Sequence, residues 1–166
     1  GSKSLNIKFI KDYYSEKYAK YKADFLYCKM TLEHIHNTAE FIGMVRHSIG
    51  DHKNTFVFFQ VPDVTRILQD CALEDIYYEH CSYFSPGSLA RLFRSRDFDV
   101  LNLKNDYDGQ YVMIDAKPLN GQSGKTLKEE ADLEKLNMLV AEFPSKFQRK
   151  ISQWRESLER IKLARK

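Results

Sequence analysis

ADFLYCKMTLEHIHNTAEFIGMVRHSIG, residues 23–50, followed after a short gap by NTFVFFQVP, residues 54–62, decides how this chain folds. Ala23 to Met30 is a nearly continuous apolar run, the pattern of a strand covered on both faces of a parallel sheet. Asn37 or Thr38 then offers a helix cap, Glu40 sits in the first turn, and Phe41, Ile42, Val45 and Ile49 recur at helical spacing before Gly50 stops the run. Asn54 to Pro62 is the strongest strand signal in the chain, and Pro62 closes it. Strand, helix and strand in this order predict a right-handed crossover with parallel pairing.

Upstream, IKFI (Ile7–Ile10) reads as a short strand and DYYSEKYAKYK as a helix or helical turn. Downstream, Ser85-Pro86-Gly87-Ser88 marks a helix start with Leu89, Leu92 and Phe93 on one face. FDVLNLKN and QYVMIDAKP read as strands flanking a turn at Asp108-Gly109, pairing antiparallel at the sheet edge and making the sheet mixed. The fold class is therefore α/β over residues 5–118, with a polar, turn-rich linker at 119–126. Residues 127–166 read as helix, a break near Pro144, then a long amphipathic helix striped by Phe147, Ile151, Trp154, Leu158 and Ile161. Such a stripe needs a surface, either this domain or a further one that is absent.

Of the 166 residues 43% are hydrophobic and 30% charged, the balance of a soluble globular domain rather than a disordered chain. The net charge of +3 comes from basic residues interleaved with acidic ones, so no nucleic-acid partner is expected. No apolar run has the roughly 18 residues a membrane span needs, so no membrane partner is expected either. Cys28, Cys71 and Cys81 are odd in number and without paired spacing; they read as free thiols in a reducing, cytoplasmic setting.

Ligands of open α/β sheets bind beyond the carboxyl ends of the strands. Glu33 and His34 follow the first long strand, Gln60 and Pro62 close the second, and Tyr77, Glu79 and His80 lie on the connection leaving it. In Tyr77-Tyr78-Glu79-His80, an extended backbone would set Tyr78 beside His80 and Tyr77 beside Glu79, whereas a turn can line one pocket with all of them. A histidine there can exchange a proton at cellular pH, with a carboxylate to orient it. The plain alternative is packing tyrosines, a solvated Glu79 and a His80 bonded to backbone. Glu33, His34 and His36 are metal-ligand types, but neither HExxH nor a cysteine pair is present and no metal is expected. GQSGKT lacks the full phosphate-loop spacing and reads as polar linker.

These residues carry a resemblance. Residues 23–62 resemble the second half of a class I S-adenosylmethionine-dependent methyltransferase. DIYYEHCSYFSPGSLARLFRSRDFDVLNL (residues 75–103) is similar to the C-methyltransferases of nucleotide-linked deoxysugars, with their Tyr-His-Glu-His-X-Ser-Tyr-Phe-Ser signature. The likeness extends over residues 7–163 and implies a partial Rossmann-like methyltransferase fold whose long terminal helix leads to a further domain. It implies His80 as general base, Tyr77 and Glu79 beside it at the substrate, and Glu33 and His34 near the S-adenosylmethionine pocket. The implied acceptor is a small molecule such as a nucleotide-linked keto-sugar. Two departures bear on that acceptor: Tyr78 replaces the first signature histidine, and YDGQYVMI stands where the family has a His-Gly-Gly-Ser-like segment. The family's glycine-rich cofactor loop and ribose-binding acid are expected upstream of Ile7, which makes the chain a middle piece that binds the cofactor weakly or not at all. Its bare sheet edge is expected to drive homodimerisation or other self-association. The competing reading is a non-catalytic interaction module on a half-Rossmann scaffold.

Overall fold

Val57, Phe59 and Val61 are wholly buried, and Gln60 and Pro62 beside them are covered as well, because their strand lies inside the sheet. The computed structural model describes residues 7–121 and 124–164. Its strands β1 (Phe25–Lys29), β2 (Phe56–Pro62), β3 (Phe98–Asp106) and β4 (Tyr111–Pro118) form one sheet in the order β1-β2-β4-β3. β1 and β2 pair in parallel, Phe25 opposite Phe56 and Lys29 opposite Gln60. The other two pairings are antiparallel, with a bulge at Leu101 between Val100 and Asn102. The mixed α/β, Rossmann-like arrangement expected from the sequence is present.

The crossover between β1 and β2 is helix α1 (Thr38–Ile49), stopped by Gly50 in a positive-φ conformation that only glycine adopts without strain. Helix α3 (Pro86–Arg94) starts in a reciprocal cap: Ser88 N–H donates to Ser85 Oγ, and Ser85 N–H donates to Ser88 Oγ. Ile42 and Val45 of α1 and Leu89 and Phe93 of α3 join the sheet residues in one core. Phe93 sits edge-on to Phe59 at 5.1 Å and near Phe98 at 5.4 Å, and each such ring contributes about 1.5–3 kcal/mol through burial.

Three expectations need correction, and one element was missed. Ile7–Ile10 forms no strand: β1 pairs only with β2, and Phe9 is left 91% exposed. β1 is not covered on both faces: it is an edge strand alternating exposed and half-buried, because among the described residues no layer covers the face of Phe25 and Tyr27. Helix α2 (Val64–Asp70) went unforeseen, since seven residues are too few to show a period; Asp63 caps it by accepting the Thr65 N–H at 2.8 Å. Helix α4 runs unbroken over Leu133–Ala164, with Pro144 inside it. Pro144 and Val140 both lie on the solvent side, where the carbonyl that loses its partner stays open to water.

The start of α4 is fastened to the domain. Glu130, in a short 3-10 turn over Lys128–Glu130, accepts from Arg94 Nε at 3.1 Å and Nη2 at 2.7 Å. Asp132 accepts the Gly87 N–H at 2.7 Å. Further along, Lys150 Nζ donates to the Cys71 and Asp70 carbonyls at the end of α2, a favourable place for a cation. Beyond it Trp154, Leu158 and Ile161 are exposed, so that part of the stripe has no cover among the described residues.

Candidate functional site

Immediately after β1 the chain turns through Met30, at positive φ, into a one-turn 3-10 helix over Leu32–His34. Leu32 anchors this turn in the core and carries Glu33 inside with it. The segment from Tyr77 to Phe84 comes to the same place by a second route. Phe84 pairs alongside Asp63 at the end of β2, and Val64 N–H donates to Phe84 O at 2.8 Å. The segment then docks onto the post-β1 turn through backbone bonds: the Cys81 and Ser82 N–H groups both donate to Glu33 O, at 2.7 and 3.2 Å. His34 Nδ1 lies 3.2 Å from Glu79 O, which makes Nδ1 the N–H and leaves Nε2 its lone pair. Both segments thus meet at the carboxyl end of the parallel pair.

Tyr77–His80 is a turn, closed by His80 N–H on Tyr77 O at 3.1 Å. It does not bring all four side chains together, since Tyr78 is 94% exposed. The half-buried His80 ring is boxed by His34 at 4.9 Å, Tyr77 at 5.1 Å and Tyr83 at 5.7 Å. Glu79 keeps its side chain in solvent and contributes its carbonyl to His34 and Cys81. Glu33 is 1% exposed, with its Oε1 3.9 Å from His34 Nε2. Burial pushes its carboxyl above the ordinary range, against the opposing pull of His34 and His80. Neither Glu33 oxygen has a hydrogen-bond partner, and His80 Nδ1 and Gln60 Oε1 are likewise buried without one. Ligating atoms of Glu33, His34 and His80 all lie within 4.8 Å of one another.

The strand-end rule brings Glu33, His34, Tyr77, Glu79 and His80 to one sheet edge from separate places in the sequence, but does not give the contacts that hold them there. His80 is remote from Glu33 in the chain, and the two backbone bonds to Glu33 O have no signature in residue type. Tyr83, whose hydroxyl donates to Tyr77 O at 3.4 Å, belongs to the box and was not singled out.

An apolar cavity of about 640 Å³ opens beside the free edge of β1, lined by Tyr14, Tyr18, Leu26, Thr31, Ile35 and Phe41 among others. Thr31 and Ile35 flank the Glu33 turn in the chain and line the cavity, whereas Glu33, His34 and His80 do not line it. Its aromatic lining suits a flat purine such as the adenine of S-adenosylmethionine, but no carboxylate for a ribose lies among the lining residues; they fit as one wall of such a site. GQSGKT offers no phosphate cradle in its described part, because the Gly124 N–H is taken by Asp99 at 2.9 Å; Gln122 and Ser123 lie outside the described residues.

Residues 3–103 match a family described as a methyltransferase domain. Among curated proteins, the chain is 36% identical over 62 residues to the C-methyltransferase NovU of Streptomyces niveus. That match covers 37% of this chain and spans 15% of the length of NovU.

Proposed function

The chain belongs to the methyltransferase-domain family, and from that premise we propose that it is the substrate-side part of an S-adenosylmethionine-dependent enzyme that methylates carbon. The acceptor in this reading is a small molecule with a keto group beside the methylated carbon, of the nucleotide-linked keto-sugar class. The observation that carries it is the half-buried His80 ring, boxed by two tyrosines and a second histidine beyond the carboxyl ends of β1 and β2. The similarity to a C-methyltransferase supports it.

His80 removes the proton next to the ketone, and the bonding pair moves onto the carbonyl oxygen to give an enolate. His34, with Nδ1–H held by Glu79 O, packs against the His80 ring at 4.9 Å and fixes its orientation. Tyr77 fixes the His80 ring on one side, and the exposed Glu79 carboxylate reaches towards polar groups of the acceptor. S-adenosylmethionine, when bound, supplies the electrophilic methyl on sulfonium, and Thr31 and Ile35, which line the cavity and flank the Glu33 turn, are placed between the two reactants. Access of water to the enolate is limited by the Tyr77 and Tyr83 rings.

The test is two assays of the full-length protein on a panel of nucleotide-linked keto-sugars: methyl transfer, and exchange of the acceptor's α-proton with deuterated water. His80→Ala is expected to lower both by about 100-fold or more while acceptor binding persists. Unchanged rates in the variant would remove His80 as the base, and inertness of the wild type towards every sugar would remove that acceptor class.

A further inference from the structure

We propose that Glu33, His34 and His80 form a binding site for a divalent cation of the zinc class, and that occupancy takes the His80 lone pair out of proton transfer. The second half rests on the assignment of His80 as the base; the first does not.

Both Glu33 oxygens and His80 Nδ1 are buried without partners, and Glu33 and His80 each offer a ligating atom to one cluster with His34. A carboxylate that is 1% exposed and unbonded is costly to keep, and one proton could satisfy one of its oxygens and one imidazole but not both imidazoles. A cation satisfies all three side chains together. His34 is set for this role: its Nδ1–H is spent on the Glu79 carbonyl, the outer hydrogen bond by which metal-binding histidines are usually oriented, and its Nε2 faces Glu33 Oε1 at 3.9 Å. Ligands about 2.1 Å from a common zinc ion stand roughly 3.4 Å apart in tetrahedral geometry. The ligating atoms lie within 4.8 Å of one another, and a small tilt of His34, whose side chain is 44% exposed, about its bond to Glu79 O closes them towards that distance.

The donor set decides the class of ion. Two imidazoles and one carboxylate suit zinc and its neighbours, whereas magnesium and calcium call for oxygen ligands throughout. Three protein ligands with an exposed side at His34 leave a fourth position open. Because His80 would give its lone pair to the metal, zinc and proton abstraction exclude each other at this ring. The site then acts as a reversible block on the reaction.

The 166-residue chain is titrated with Co²⁺, whose visible absorption reports tetrahedral nitrogen and oxygen ligation, and the signal is chased with Zn²⁺. The expected result is saturable one-to-one binding, weakened at least about tenfold in His34→Gln and in Glu33→Gln and unchanged in Cys81→Ser. The His34 side chain is exposed enough that its variant leaves the core intact. Absence of saturable binding overturns the site, as does binding that survives both substitutions or is lost only with Cys81, which would place the ion at the Cys81–His36 pair, 3.8 Å apart. Zn²⁺ is then added to the α-proton exchange assay, where inhibition relieved by a chelator is expected. Bound zinc that leaves exchange untouched overturns the block, while His80→Ala in the same assay reads the base assignment separately and the cobalt spectrum reads the site itself.

Discussion

At Gly87 the absence of a side chain is a structural requirement. A Cβ there would overlap Asp132 Oδ1 and stand 2.5 Å from Glu130 O, so Gly87→Ala must push the start of α4 away from α3. The expected cost is about 1–3 kcal/mol in urea unfolding, and a loss below about 0.5 kcal/mol would mean that this seam is soft. Glu130 next to it carries a pH signature. Burial works against its charge, but the Arg94 fork and the Leu127 N–H outweigh that and hold the carboxyl below its ordinary range. A carboxyl lowered in the folded state stabilises fully above its unfolded value of about 4.3, and that contribution is lost as the pH falls through the folded value. The unfolding midpoint should therefore drop below about pH 4, and the drop should be smaller in Arg94→Met; equal drops in both chains would contradict the assignment.

Among the elements, β2, α1, α3 and the β3–β4 hairpin were legible because each announces itself locally: Gly50 stops α1, the Ser85–Ser88 pair opens α3, and Asp108-Gly109 turns the hairpin. The errors fell where the answer lies in neighbours. Nothing within Ala23–Met30 says that only one strand flanks it, and nothing in Ile7–Ile10 says that no ladder awaits it. The box around His80 was half legible: residue types named His80, Tyr77, Glu79, Glu33 and His34, but two backbone bonds to one carbonyl brought them together, and backbone bonds leave no trace in composition. Pro144 shows that a helix breaker is read against its surroundings. Because α4 continues past it at the cost of one hydrogen bond, Pro144→Ala should stabilise the chain by about 1–3 kcal/mol, read as a higher thermal midpoint at unchanged helical signal. A lower midpoint would show that the proline serves the packing of α4.

For the molecule as a whole, β1 offers an edge unpaired among the described residues, with Phe25 and Tyr27 more than half exposed on it, beside a large apolar cavity. Such an edge pairs with whatever strand presents itself. Sedimentation velocity should show the chain's association rising with concentration, and Tyr27→Lys should hold it monomeric at concentrations at least about tenfold higher, since charge on an edge strand opposes pairing. A wild type that stays monomeric, or a variant that associates equally, would place any self-association elsewhere, with the exposed end of α4 as the remaining apolar surface.

The carbonyl of Glu33, which accepts two amide protons from the opposite segment, also sets a clock. The Cys81 and Ser82 amides sit on a loop whose side chains reach solvent, a location where hydrogen exchange is ordinarily fast. Here they can exchange only when the turn after β1 and the turn carrying His80 part from each other. Their exchange times therefore measure how long the two halves of the site stay together, and a ligand that seats across both should slow these two amides more than any others in the loop.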